Sequence, residues 1–459
     1  MPSDLRVPDS LLLAAVHATP RRYLLPLLPA DVEAARAAGA EAALAFAIEA
    51  ARIASQDGTT APAGVQPLFT WALARVIEQA LAPSGGDPAF QAIVLQARDP
   101  EVHEHVRLAA HAHGDRRAVR TLTDAIAHPG KMRRLPDGPL REALEHLHEL
   151  ASLGDWAALR AAVTRLRARI QAAGLRVALE AILLDPALRR LERSAALDAS
   201  EGVRRYRALV AERGPLAGSR EAAARGRASA RVGESAEAAA MRSFRAIAER
   251  LQDVAADDAH YRAVRTLRTP RGFPGEATKG KSKEEWDAAI VREAPDGAHL
   301  VLLAEVKAAP AAATSDFARL LRGLRRLALA DAQQAYAFPS ADGELRLAGA
   351  SLQALRPRGH ALPACVIYAC QAAPEERPAL LSPASKAALL AERASLDFAQ
   401  RIADGTPPDD EALVPVWEAL ATTTRLRAAL HQYETAQAVR AAMLDPVDLL
   451  AALEATLPR

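Results

Sequence analysis

Between Leu11 and about Leu209 apolar residues recur at three- and four-residue spacing, in runs closed by Pro and Gly breaks at residues 82–88, 128–139 and 183–187. That period predicts amphipathic helices. Residues 142–175 carry two such stripes around the turn Leu153-Gly154-Asp155, which reads as a helical hairpin. The pattern then fails between 204 and 231, where eight Arg and two acids are punctuated by Gly and Ser, the composition of a basic linker. Beyond it the periodicity changes several times. Val232–Leu251 is a helix, Tyr261–Arg268 a strand, and residues 269–284 a mobile basic loop. Glu285–Arg292 and His299–Lys307 are strands joined by a turn, Ser315–Ala335 is a helix with Ser315 as N-cap, and Pro363–Cys370 is a further strand. After about residue 378 the helical period returns. The fold class expected is therefore α+β and mostly helical, with domains at 1–225 (all-helical, ending in the basic linker), 226–377 (helix, three strands, helix, strand) and 378–459 (helical).

Composition narrows the function classes. A chain of 459 residues exceeds one ordinary core, and Ala and Leu dominate while aromatics supply only 4%. The net charge of +2 rules out a general polyanion binder and makes any basic surface local. Cys365 and Cys370 lie five apart on a strand and face opposite sides, so neither a disulfide nor a metal site is expected from them, and a reducing cytoplasm fits. Charges interrupt the apolar runs near the N-terminus, which predicts neither signal peptide nor membrane span. Seven of the twelve His fall between residues 103 and 148, but His103, His105, His111 and His113 include no i, i+4 pair, so solvated helix faces are expected rather than zinc. Lys is rare, and four of six (Lys279, Lys281, Lys283, Lys307) fall within one short stretch.

That stretch ends at an anomaly. His299–Ala304 is almost wholly apolar, as in a strand covered on both faces, yet Glu305 and Lys307 follow at once. By alternation they share a face with Val301 and Leu303. The turn Ala294-Pro295-Asp296-Gly297 has the residues of a type I turn with a Gly bulge, which would pair Ala294 with Ala298. Counting back along both strands then sets Asp287 opposite Glu305, with Cβ atoms about 5 Å apart. Two carboxylates so placed repel by roughly 3 kcal/mol at an effective dielectric of about 20. A divalent cation between Asp287 and Glu305 removes that penalty, and Mg²⁺ or Mn²⁺ is the expected cofactor. Lys307 would stabilise a phosphate oxyanion. On the preceding helix, Glu237 falls within about 20° of the apolar stripe through Phe244, so it is the expected third acid, with Glu234 in reserve.

Asp287, Glu305-x-Lys307 on the next strand, and the Gly233-x-x-x-Glu237 helix ahead of them resemble the PD-(D/E)xK superfamily, the restriction-endonuclease-like fold, over roughly residues 230–372. The resemblance implies that Asp287 and Glu305 bind Mg²⁺, that Lys307 assists the attacking water and that Glu237 supports the metal. Trp286 stands where the family motif has Pro, and Gln333 to Tyr336 is one residue short of the Gln-Tyr signature of the RecB-like branch, so that branch is not assigned. The expected activity is metal-dependent hydrolysis of nucleic acid, DNA before RNA. Arg271, Lys279, Lys281, Lys283, Arg319, Arg322 and Arg326 are the candidate phosphate contacts. A non-catalytic helical scaffold that keeps the fold for binding nucleic acid or protein is the alternative. Membrane association is not expected, and no phosphate loop, dinucleotide fingerprint or nucleophile elbow supports an unrelated enzyme.

Overall fold

The computed structural model describes residues 7–214, 220–255, 259–275, 282–295 and 297–457. Helix accounts for 62% of the chain and a mixed five-stranded sheet for most of the remaining regular structure, an α+β architecture. The chain forms two compact units. One comprises Met1–Ala74, Ala217–Leu389 and Asp410–Arg459; the other comprises Arg75–Leu216 and Leu390–Asp409. The divisions thus fall elsewhere than at 225 and 378, because the N- and C-terminal helical segments share the core of the sheet.

The elements that build that core are α1 (Val7–Ala18), α2 (Arg220–Asp253), β1 (His260–Arg268), β2 (Glu285–Glu293), β3 (His299–Val306), α3 (Ala312–Leu327), β4 (Ala335–Ser340), β5 (Gly343–Ala348), β6 (Val366–Ala369), β7 (Met443–Leu444) and α4 (Pro446–Thr456). The sheet order is β1-β2-β3-β6-β7, antiparallel from β1 to β3 and parallel from β3 to β7. On one face α1, α2 and α4 bury Leu12, Phe244, Ile247 and Leu449 against Ile290 and Ile367. On the other, α3 and the β4–β5 hairpin bury Phe317, Leu320 and Phe338 against Trp286, Leu303 and Val366. Cover on both faces explains why β2, β3 and β6 read as continuous apolar runs.

Several expectations need correction. The linker expected at 204–231 is largely helical, Glu201–Glu212 and then α2 from Arg220, since its Ala, Arg and Glu are strong helix formers and outweigh the scattered Gly and Ser. α3 begins at Ala312, with Ser315 inside it donating from its hydroxyl to the Ala312 carbonyl at 3.0 Å rather than capping. The helix stops at Leu327, and the segment beyond forms the β4–β5 hairpin. β7 emerges from the region read as wholly helical. The N-terminus is tied into the sheet: the Tyr23 hydroxyl reaches the carbonyls of Cys370 and Ala372 at 2.7 and 2.9 Å, while buried Asp9 accepts from Tyr261 Oη at 2.7 Å and Arg292 Nε at 3.2 Å.

The β2–β3 register holds a further difference. Arg292 pairs with His299 and Val291 with Leu300, but Ile290 pairs with Leu302, so Val301 is an extra residue in a bulge. The bulge sends Val301 to the α2 face, while Leu303 keeps to the α3 face. Ala298 does not pair with Ala294; its backbone bonds to Arg346 and Ala348 beside β5. Asp296 lies outside the described residues.

The second unit is all-helical. Asp87, Asp99 and Asp185 each precede a Pro at the first helical position and accept from the orphan N–H groups there. The hairpin Pro139–Leu153 and Trp156–Arg169 turns at Gly154, with φ of 78°, and buries Leu147, Trp156 and Leu159. His105, expected on a solvated face, is buried with its ring 6.4 Å from that of Tyr206. Among the described residues no helix is long and apolar enough to cross a membrane, and both cysteines are free.

Candidate active site

The candidate site lies where the β2–β3 ladder ends. Ala288 pairs with Ala304, the last backbone pair in that direction. One step further, Asp287 replaces backbone with side chain: its Oδ2 accepts from the Val306 N–H at 2.8 Å. β3 meanwhile continues along β6, with Glu305 beside Tyr368 and the Lys307 N–H donating to the Ala369 carbonyl at 2.8 Å. Asp287 and Glu305 thus lie near each other at the end of the ladder, with Glu305 buried and within reach of the Asp287 charge.

On the other side of β2, Arg265↔Ala288 and Leu267↔Trp286 bracket Thr266 opposite Asp287. Thr266 has φ of 51°, a left-handed conformation that a β-branched residue rarely adopts. Its neighbour Arg265 is held on both sides by the β4–β5 turn, donating its N–H to Asp342 Oδ2 at 2.9 Å and accepting from Ala341 N–H at 3.1 Å.

Four charges cluster where β3 ends against α3. Lys307 Nζ donates to Glu305 Oε1 at 2.7 Å and to Asp316 Oδ2 at 3.1 Å. Lys283 Nζ donates to the same Glu305 oxygen and lies 3.8 Å from Asp316 Oδ2. Glu305 is only 3% exposed, and its Oε2 is buried with no hydrogen-bond partner among the described residues. Burial, reinforced by the charge of Asp287, raises the Glu305 pKa to about 7 against the pull of Lys283 and Lys307. Burial also opposes the charge on Lys307 and on Asp316, but the ion pairs outweigh it, so Lys307 is raised and Asp316 lowered. Glu237, on α2, is exposed rather than in line with the buried stripe. Partial desolvation and the charges of Asp287 and Glu285 nonetheless hold its carboxyl above the usual range.

Sequence reasoning therefore placed Asp287, Glu305 and Lys307 in one locus and Glu237 within electrostatic reach of it. It missed three neighbours. Lys283, read as a phosphate contact on a mobile loop, is 7% exposed and faces Glu305. Asp316 was hidden behind Ser315, read as a cap. Tyr368 has a buried hydroxyl without a hydrogen-bond partner among the described residues, and the only hint of it was a polar aromatic inside an apolar strand. Of the other basic candidates, Arg271, Arg319 and Arg322 are exposed. Arg326 is not available as expected, because it pairs with Glu284 at 3.1 Å and lies over the Phe273 ring. Lys279 and Lys281 lie outside the described residues.

The donor set suits a hard divalent cation. Asp287 and the orphaned Oε2 of Glu305 offer oxygen donors, while among the described residues no group of three His, Cys, Asp or Glu is placed to hold a metal ion. Mg²⁺ characteristically takes one or two carboxylates and completes its shell with water and phosphate oxygens, so this set fits it. No family model, curated protein or solved structure matches the chain.

Proposed function

We propose that this site is a metal-dependent phosphodiesterase of the restriction-endonuclease-like kind, acting on nucleic acid, with DNA the expected substrate. The observation that carries the reading is the convergence of Asp287, Glu305 and Lys307 where the β2–β3 ladder ends, with one Glu305 oxygen buried and without a hydrogen-bond partner among the described residues. Asp287 and Glu305 would hold Mg²⁺ or Mn²⁺, which when bound supplies Lewis-acid polarisation of a phosphoryl oxygen. Lys307 has three ammonium donors and spends two on Glu305 and Asp316, leaving one for an oxyanion developing on phosphorus. Glu237, with its raised pKa, can hold or release a proton beside Asp287. Exposed Arg271, Arg319 and Arg322 supply contacts to flanking phosphates.

The test is cleavage of plasmid and single-stranded DNA with Mg²⁺ or Mn²⁺. Lys307→Ala and Asp287→Ala should keep the wild-type circular dichroism and lose cleavage by about a hundredfold or more; a Lys307→Ala protein that still cuts would sink the assignment. One observation favours the competing reading of a binding scaffold: two ammoniums already neutralise Glu305 and Asp316. That reading expects no rise in melting temperature with Mn²⁺, whereas the nuclease reading expects one that Asp287→Ala abolishes.

A further inference from the structure

We propose that Lys283 is an internal counter-cation of the site, competing with the divalent ion for Glu305 and thereby setting metal affinity. The inference rests on the reading that Asp287 and Glu305 hold that ion.

Lys283 is fixed by packing rather than folded in from the surface. Its backbone N–H donates to the Arg319 carbonyl of α3 at 3.2 Å, and Arg319 Nε returns a bond to the Ser282 carbonyl at 3.5 Å. This close approach requires Gly323, where a Cβ would come within 2.8 Å of both the Lys283 carbonyl oxygen and Cβ. So anchored, the side chain runs under β3 and ends on Glu305 Oε1, the oxygen that Lys307 also uses.

The charges then divide into two groups. Lys283, Lys307, Glu305 and Asp316 sum to zero, while Asp287 and Glu237 stand beyond them, neither in an ion pair among the described residues. A divalent ion entering at Asp287 meets a Glu305 whose negative charge is already shared with two ammoniums. Lys283 therefore weakens the ion's hold without touching substrate, and Asp316 opposes it by drawing both ammoniums away from Glu305.

Two substitutions should move metal affinity in opposite directions. Mn²⁺ binding to the full-length protein, followed by the free-ion electron paramagnetic resonance signal, should tighten about tenfold in Lys283→Met and weaken by a similar factor in Asp316→Asn. Arg116→Met, exposed in the second unit and outside the cluster, serves as the control and should leave it unchanged. A metal-free double-mutant cycle of Lys283→Met with Glu305→Gln, read by urea unfolding, should be non-additive. Additivity would overturn the ion pair itself. Coupling with Mn²⁺ affinity unmoved in either variant would overturn the competition while leaving the metal reading intact. If the wild type and both variants fail to bind Mn²⁺, the metal reading falls and the proposal with it. Asp316→Asn keeps the test decisive should Lys283→Met fail to fold.

Discussion

A methyl group at position 323 has nowhere to go. It would press on the Lys283 backbone and come within 3.1 Å of Trp286 Cζ2. Gly323→Ala should therefore destabilise the protein by about 1–3 kcal/mol in urea unfolding, the usual range for an overpacked core. His105 supplies a second test at this scale, in the other unit. Burial lowers its pKa, helped by Arg207 and opposed by Asp198. The unfolded chain then takes up the proton first, so this contribution to stability is intact above about pH 6.5 and shrinks as pH falls below it. His105→Gln should flatten that acid limb of the urea midpoint against pH. The individual residues were unequally legible. Glu305 and Lys307 stood out because charge ended an apolar run. Lys283 did not, because a lysine amid Lys, Gly, Ser and Glu gives no sign that its side chain will be buried.

Among the elements, β1 and the β4–β5 hairpin act together on the site. The hairpin turn grips Arg265 from both sides, next to the left-handed Thr266 that stands opposite Asp287. Thr266→Gly removes the Cβ clash behind that conformation and should be neutral or stabilising by up to about 1 kcal/mol, while Thr266→Val should keep the strain and gain nothing. Urea midpoints of the two variants decide the matter; equal loss in both would show that the threonine contacts matter more than its backbone. The strands β1, β2, β3 and β6 could be read from apolar runs and turn residues. The hairpin was overlooked although Asp342-Gly343 sits between alternating segments, because the helix before it was extended too far. The bulge at Val301 left no mark in the pattern, and the register at the site agrees with the count from the turn only beyond it.

For the molecule as a whole, a net charge of +2 means that the nucleic-acid binding proposed above would have to come from a local patch. With Arg271, Arg319 and Arg322 as the exposed contacts, log affinity should fall with log salt at a slope of roughly −3, and Arg319→Ala with Arg322→Ala should make it shallower by about 2. Fluorescence anisotropy across a salt series checks this, and an unchanged slope would place the phosphate contacts elsewhere. The sequence suggested separate helical domains at either end, yet sequence distance concealed that Tyr23 and Met443 close upon the same sheet.

That closure bears on how the protein is made. Strand β7 is two residues long and follows its partner β6 by about a sixth of the chain, with part of the second unit in between. As a nascent polypeptide leaves the ribosome, Tyr368 and Glu305 can pair early, but the sheet edge beside them stays open until Leu444 has emerged. A stalled or truncated translation product ending before that point would present β6 as an unpaired edge, a template for aggregation rather than a closed sheet.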